Sequence, residues 1–169
     1  MATTHSTTAH RGKTARRAPA KMNALTLLKA DHREVAELLE RFEKGKSRMD
    51  DAKKQALALE ICAKLTVHAT IEEEIFYPAV AEAVEGAEDL LEEARVEHGS
   101  LKNLIGKIEG GSPESEEFDA LVKVLGEYVK HHVKEEQNEL FPTVRDSDLD
   151  LAEIGERLAA RKDELAAAK

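Results

Sequence analysis

A short pattern that occurs twice constrains the fold of this chain more than any other feature. In each copy a His is followed four residues later by a Glu and ten residues later by a Pro. The first copy is His68, Glu72 and Pro78, and the second is His132, Glu136 and Pro142. Positions four apart share one face of an α-helix, so each copy directs an imidazole and a carboxylate toward one point. Two such pairs in one small chain indicate a site for two metal ions.

Two further histidines extend the pattern into an internal repeat. His32 lies 36 residues before His68, and His98 lies 34 residues before His132. The chain therefore divides into two similar halves, each a helix with one His followed by a helix with His-x-x-x-Glu. A repeat of this size indicates a repeated structural unit, here a helical hairpin. Two hairpins predict an all-α fold built on a four-helix bundle.

The spacing of apolar residues predicts where the helices lie. We expect helices at residues 24–44, 51–84 and 87–109, with Asn23 capping the first and Pro78 kinking the second. Ser112 and Pro113 are predicted to begin the fourth helix, and a last amphipathic helix begins near Asp148. We therefore divide the chain into a disordered basic tail at residues 1–21, the bundle domain at 22–145 and a C-terminal helix at 146–169.

Charge is unevenly distributed along the chain. The net charge is −9, yet the first thirty residues hold six Lys or Arg and no acid. The remainder is acidic, which excludes nucleic-acid binding through the bundle. Composition favours a solvated tail with an unknown partner, and an organelle transit peptide or a weak nucleic-acid tether stays open. His5 and His10 belong to this tail and are unrelated to the metal site.

Composition also bounds the setting of the protein. Charged residues make up 35% of the chain and aromatic residues 4%, a mixture that favours helices. No apolar run approaches the roughly 18 residues that span a membrane, and no apolar signal segment is present. Cys62 is the one cysteine, which suits a reducing cytoplasm, and we expect it to be a buried packing residue.

The four histidines and both glutamates lie on the apolar stripes of their helices. A buried carboxylate without a partner costs several kcal/mol or stays protonated, so convergence of these six side chains favours metal binding. If each ion takes two His and both carboxylates bridge, open positions and a bridging hydroxide or oxide remain. Mixed His and carboxylate ligands of this kind suit iron, and zinc or manganese fits them less distinctively.

Neighbouring residues leave alternatives open. His131 and Glu135 form a second His-x-x-x-Glu pair, although the repeat and the apolar stripe favour His132 and Glu136. Tyr128 is predicted on the inward stripe, either as a packing residue or as a hydrogen-bond donor or ligand at the metal pair.

Four acidic neighbours of the six residues are given no part in the site. We expect Glu73 and Glu74 to form a solvated face, and Asp31 and Glu97 to point sideways.

The complete pattern resembles the hemerythrin-like, or HHE cation-binding, proteins. The resemblance covers about residues 23–145 and includes Phe76-Tyr77-Pro78 and Leu140-Phe141-Pro142, which follow the two His-x-x-x-Glu pairs. It implies an up-and-down four-helix bundle with two non-haem iron ions, oxo- or hydroxo-bridged. The ligands that it implies are His32, His68, Glu72, His98, His132 and Glu136.

One position departs from the oxygen-carrying members of the family. These have a further His one turn after the third-helix His, where this chain has Lys102. We expect Lys102 to face solvent, since a protonated Lys is a poor iron ligand. The pattern with four His resembles bacterial hemerythrin-like proteins linked to peroxide, nitric oxide or iron responses.

Three functions are consistent with the sequence. The first is an enzyme that disproportionates hydrogen peroxide in a catalase-like protection against oxidative stress. The second is a protein that binds or senses dioxygen, nitric oxide or iron without turnover. The third is a bundle filled with zinc, or free of metal, that has an unrelated interaction role.

Overall fold

The computed structural model describes residues 23–168, which form five helices and no strand. We number them α1 (Ala24–Gly45), α2 (residues 51–83), α3 (Glu88–Glu109), α4 (residues 116–145) and α5 (Leu151–Ala167). A short 3₁₀ turn, Lys46–Arg48, follows α1. The all-α prediction of a four-helix bundle with a fifth helix is confirmed. The predicted tail at residues 1–21 lies outside the described residues.

Side-chain caps fix where the helices begin. Asn23 Oδ1 accepts a hydrogen bond from the Thr26 amide at 2.9 Å, as predicted. The fourth helix begins later than predicted, because Ser115 rather than Ser112 is its N-cap and accepts from the Phe118 amide. Ser112 instead begins a turn in which its carbonyl accepts from the Ser115 amide at 3.1 Å.

Helices α2 and α4 each contain a π-helical turn that begins at the Glu of the repeat. The segments are Asp51–Ile71, Glu72–Phe76 and Tyr77–Ala83 in α2, and Glu116–Glu135, Glu136–Leu140 and Phe141–Arg145 in α4. Each π turn closes with an amide five residues after the Glu donating back to the Glu carbonyl. A Pro follows each turn, and the wider turn accommodates its ring and its missing amide proton. We expected Pro78 to kink the helix; next to it, the backbone hydrogen bonds change from the α-helical to the π-helical spacing.

The core consists of two apolar clusters with a polar layer between them. One cluster includes Leu28, Phe76 and Phe141, and the other includes Phe42, Ile61 and Leu125. The buried polar residues of the described chain are Asp31, His32, His68, Glu72, His98, His132 and Glu136. The six predicted ligands therefore lie in an interior from which the helices exclude bulk water.

Cys62 is buried in the second apolar cluster, as predicted. Burial, with a smaller contribution from the charge of Glu109, raises the pKa of its thiol to about 12. The thiol is therefore a packing group rather than a nucleophile.

The inward face of α4 differs from the predicted one. Val122 and Val129 are buried there, whereas Tyr128 is 47% exposed. The prediction that Tyr128 lies on the inward stripe is wrong, because the buried face is centred nearer Val129, three residues before His132.

Helix α5 packs on the outside of the bundle against α1 and α2. It buries Ile154 and Leu158 there. Among residues 23–168, no helix is both long and apolar enough to cross a membrane.

Candidate metal centre

The structure brings all six predicted ligand residues together, and each is at most 5% exposed. The imidazoles form two pairs. His32 Nε2 on α1 lies 3.0 Å from His68 Nε2 on α2, and His98 Nε2 on α3 lies 3.2 Å from His132 Nε2 on α4. Each pair therefore joins the two helices of one hairpin.

The two carboxylates lie between the His pairs. Glu72 Oε2 is 3.2 Å from His68 Nε2 and 3.5 Å from His98 Nε2. Glu136 Oε2 is 3.3 Å from His32 Nε2 and 3.7 Å from His132 Nε2. Each carboxylate thus reaches one imidazole of each pair, which is the placement that bridging of two ions requires.

The outward nitrogen of each imidazole faces a polar side chain. Glu97 Oε2 lies 2.7 Å from His132 Nδ1, and Glu73 Oε1 lies 3.0 Å from His98 Nδ1. In the other half, Asp31 Oδ2 lies 3.7 Å from His68 Nδ1, and Gln137 Nε2 lies 3.0 Å from His32 Nδ1. Partners of this kind fix the orientation of metal-ligating imidazoles.

Sequence reasoning missed these four partners, although the repeat contains the signal for them. Asp31 and Glu97 each precede the His on the first helix of a hairpin. Glu73 and Gln137 each follow the Glu of the repeat on the second helix. The prediction that Asp31 and Glu97 point away from the site is wrong, and Glu73, which is 29% exposed, faces both solvent and His98. Glu74 is exposed as expected, and it forms an ion pair with Arg161 of α5.

The nitrogens that face inward favour a bound cation. When Nδ1–H donates to a carboxylate, as it does at His98 and His132, the Nε2 lone pair is left free. Two lone pairs 3.2 Å apart repel each other unless a cation lies between them.

Three of the four oxygens of the two carboxylates are also left without a donor among the described residues. Within residues 23–168, neither oxygen of Glu72 has a hydrogen-bond partner, and neither does Oε2 of Glu136. An unpaired buried carboxylate costs about several kcal/mol. Two overlapping ligand groups result, namely His32, His68, Glu72 and Glu136, and Glu72, His98 and His132. The residues present therefore fit a pair of metal ions.

The electrostatics of the two carboxylates differ. Burial, and then repulsion by Glu136, raises the pKa of Glu72 well above its ordinary value. Burial acts in the same direction on Glu136, but the His32 imidazole, whose Nε2 lies 3.3 Å from Oε2, and the charges of the other imidazoles outweigh it and lower the pKa of Glu136 to about 2.

Two imidazoles are also shifted in opposite directions. Burial, followed by repulsion from His132, lowers the pKa of His98 to about 4. Burial also opposes protonation of His132, but its hydrogen bond to Glu97 and the nearby negative charges prevail and raise its pKa.

A buried tyrosine that sequence reasoning did not single out contacts the cluster. Tyr77 donates its hydroxyl proton to Glu136 Oε1 at 2.9 Å, and the Tyr77 hydroxyl oxygen lies 3.4 Å from His98 Nε2. Its pKa is raised well above the ordinary value, first by burial and then by the charge of Glu72. Tyr77 therefore holds its proton beside the cluster, in the role that was weighed for Tyr128.

The remaining candidates lie at the surface. His131 is 61% exposed, so the pair directed into the core is His132 and Glu136. Lys102 faces solvent as expected, and its Nζ lies 2.6 Å from Glu73 Oε2. Its counterpart on the other side of the bundle is Lys162 of α5, which forms an ion pair with the buried Asp31.

A narrow, partly open cavity adjoins the histidines. The space open to the centre of a water-sized sphere is about 20 Å³, enough for one molecule of about that size. Its walls include the four imidazoles and the aliphatic side chains of Val35, Leu65, Leu101, Ile105 and Val129. The arrangement admits a ligand of two or three non-hydrogen atoms and leaves no room for a larger organic substrate.

Comparisons with known proteins agree with this architecture. The chain is 32% identical over 126 residues to a DNA nickase of Nostoc sp., which covers 75% of this chain and 34% of that protein. It thus spans about a third of that relative's length. It is 26% identical to the uncharacterized protein Rv2633c of Mycobacterium tuberculosis, over 85% of this chain and 88% of that one.

A crystal structure shows the same fold. It is that of a hemerythrin HHE cation binding domain-containing protein from Mycobacterium kansasii, an Rv2633c homolog. The TM-score is 0.73 at 23% identity, over 86% of this chain and 88% of that one. The family pattern of this domain matches residues 23–144. This chain, with its His and Glu cluster between four helices, belongs to the hemerythrin HHE cation binding domain family.

Proposed function

We propose that this protein holds two non-haem iron ions and disproportionates hydrogen peroxide in the cytoplasm. The ligands are His32, His68, Glu72, His98, His132 and Glu136. The observation that carries the proposal is the meeting of the Nε2 lone pairs of His98 and His132 with buried carboxylate oxygens that have no donor. These nitrogen and oxygen atoms form a stable group when they coordinate cations.

The identity of the metal follows from the chemistry of the donors. Imidazole combined with carboxylate suits iron, and a pair of iron ions supplies two one-electron redox changes next to open coordination positions. The chain supplies the placement, because each carboxylate reaches both His pairs.

The cavity selects the substrate by size. A space of about 20 Å³ accepts hydrogen peroxide, which is little larger than water. In the balanced reaction, one peroxide is reduced to two water molecules while a second is oxidised to dioxygen and releases two protons. Peroxide is therefore both oxidant and reductant, and no further substrate or cofactor has to enter.

Protons have a defined holder beside the cluster. The Tyr77 hydroxyl lies 2.9 Å from Glu136 Oε1, which is a distance for proton exchange between the two groups. Because burial raises the pKa of Tyr77, the phenol stays protonated at neutral pH. We assign Tyr77 the task of holding and returning a proton during turnover.

The alternative is reversible binding of dioxygen or nitric oxide without turnover. The aliphatic walls of the cavity favour it, since they exclude water from a bound diatomic ligand. Tyr77 distinguishes the two functions. It contacts the carboxylate of Glu136 and is not among the residues that line the cavity, so it is placed to exchange protons during turnover rather than to contact a bound diatomic ligand.

The test combines metal analysis, an optical spectrum and dioxygen release from added peroxide. We expect about two irons per chain and turnover in the wild-type protein, and loss of turnover together with at least one iron in His68→Ala. Tyr77→Phe should keep the iron and lower kcat, whereas the matched Tyr128→Phe should not change it. Iron with a reversible spectral change and no dioxygen release supports the alternative, and zinc or no metal refutes both.

A further inference from the structure

A second group of metal-ligating side chains lies on the surface outside His132. His131 Nε2 on α4 is 3.0 Å from Glu135 Oε1, one turn along the same helix. It is also 3.4 Å from Glu97 Oε1 on α3. The three ligand atoms all lie within 4.8 Å of one another, so one imidazole and two carboxylates from two helices converge.

The spacing of these atoms suits a small divalent cation. Ligands about 2.1 Å from a tetrahedral ion are separated by roughly 3.4 Å, close to the two distances that join His131 to its neighbours. With three protein ligands at an exposed position, water completes the coordination. The arrangement is that of an open, exchangeable site.

The surrounding charge is uncompensated. Glu93 and Glu139 lie close enough to Glu135 to add further negative charge beside it. In the described part of the chain, no Lys or Arg forms an ion pair with Glu93, Glu97, Glu135 or Glu139. Other surface acids are paired, such as Glu60 with Arg41 at 3.2 Å.

A narrow cleft joins this surface group to the buried cluster. Glu93, Glu97 and Glu135 line it, and so do the ligands His132 and Glu136. Glu97 belongs to both groups, because its Oε2 accepts from His132 Nδ1 while its Oε1 faces His131. A cation at the surface is thus one carboxylate away from the buried cluster.

We propose that Glu97, His131 and Glu135 form a third site, which binds a divalent transition-metal cation and captures it before it enters the buried pair. Binding of a cation at this third site is independent of the proposed function, whereas the capture role rests on the proposed function. The exposed ligands exchange rapidly with solvent, while the cleft leads inward from them.

Equilibrium dialysis of the full-length protein against Co²⁺ tests the site. The wild type should bind three cobalt ions per chain, the third more weakly, while His131→Ala and Glu135→Gln should bind two. Glu139→Gln is the matched control, since it removes a charge without removing a ligand, and it should keep three. A double variant of His5→Ala and His10→Ala should also keep three, which excludes those two histidines as the source.

Three results overturn the site: two ions in the wild type, three ions in His131→Ala, or equal loss in Glu139→Gln. His68→Ala separates this inference from the proposed function, since it should lose buried cobalt and keep the His131-dependent ion. If only a His131-dependent ion binds in the wild type, the proposed function fails and the surface site stands.

The capture role is tested by the rate at which limiting Co²⁺ reaches the buried ligands, followed by its visible absorption. A cation coordinated by His131 is held at the mouth of the cleft, beside the buried ligands, whereas negative charge alone attracts it without holding it there. His131→Ala should therefore load several-fold more slowly than wild type and Glu139→Gln, and should still fill both buried positions. Equal loading rates in all three proteins refute capture.

Discussion

The two halves of the centre share one backbone design and differ in charge. We call His32 and His68, with their outer partners Gln137 and Asp31, the His32 half. His98 and His132, with their outer partners Glu73 and Glu97, form the His98 half. The partners occupy equivalent places in the repeat, yet one half has two carboxylates and the other has one carboxylate and one amide. The repeat thus places the proposed metal ligands, and we expect single substitutions outside them to set the basicity of each imidazole.

The halves also differ in how they are covered. Asp31 is buried beneath α5, where Lys162 contacts it. Glu73 is paired with Lys102 at an exposed position, and Glu97 faces the acidic surface. A hydroxyl marks a further difference, because Tyr77 in one copy of the repeat corresponds to Phe141 in the other. Tyr77 donates to Glu136, whereas Phe141 stacks on the His32 ring.

The largest effect should come from removing one His in each half. The two carboxylate partners of the His98 half make its imidazoles better donors, so we expect it to bind its ion more tightly. His132→Ala should lower the affinity for the more tightly bound of the two buried ions by more than about 100-fold, which exceeds the effect of losing an outer partner. His68→Ala should lower the affinity to that extent only for the other buried ion. Competition with a chromophoric chelator measures both, and the opposite order contradicts the comparison.

The second effect concerns pH and the metal-free protein. Because the pKa of Glu72 is raised, the folded protein retains a proton there that the unfolded chain releases above the ordinary value of 4.5. Stability therefore falls as pH rises above that value, by up to about 1.4 kcal/mol per pH unit. Glu136 has the opposite sign, since its contribution is present above 4.5 and is lost as pH falls toward 2.

Urea unfolding of chelator-treated protein between pH 5 and 8 measures this difference. We expect Glu72→Gln to flatten the decline with pH, because the amide carries no proton to release. Glu136→Gln should instead lower stability at neutral pH, since it removes an acceptor that is stable as an anion. The exposed Glu127→Gln is the control for charge alone, and an equal flattening in it would sink the assignment.

The sequence was sufficient to predict the bundle and the convergence of the six buried side chains, because both follow from helical periodicity and the repeat. It was insufficient beyond Glu72, where the periodicity changes. In a straight α-helix, Tyr77 lies nine positions after His68 and on the opposite face. The π turn adds a residue to one turn and returns Tyr77 to the core. Tyr77 was missed for this reason, whereas Tyr128 was misplaced because the buried face of α4 is centred nearer Val129.

Contacts from distant parts of the chain were also beyond sequence reasoning. Lys162 lies 131 residues after Asp31 and pairs with it through the packing of α5. Periodicity predicted that α5 is amphipathic, but it does not specify which helices α5 covers. The outer partners are a different case, since comparison of the two copies position by position pairs Asp31 with Glu97 and Glu73 with Gln137.

The third effect tests how the halves are covered. Lys162→Met should destabilise the protein by about 2 kcal/mol, because it leaves the buried Asp31 carboxylate without its cation. Burial opposes ionisation of Asp31, but the neighbouring His68 imidazole and the pair with Lys162 outweigh it and lower the pKa of Asp31, so the contribution of the pair is present above the ordinary pKa and is lost on acidification. Lys102→Met breaks an exposed pair and should cost less than about 1 kcal/mol. Urea unfolding at pH 7 measures both, and equal losses contradict the difference in cover.

The smallest effect should come from making the halves alike. Gln137→Glu gives His32 the carboxylate partner that Glu73 gives His98, and should tighten the weaker buried ion by up to about tenfold, the low end of outer-partner effects. Asn138→Asp adds the same charge one residue away at an exposed position and controls for simple attraction. If both variants tighten the ion equally, general charge rather than the hydrogen bond at Nδ1 distinguishes the halves. If Gln137→Glu alone does so, the amide at this position explains why two halves with one backbone design bind their ions unequally.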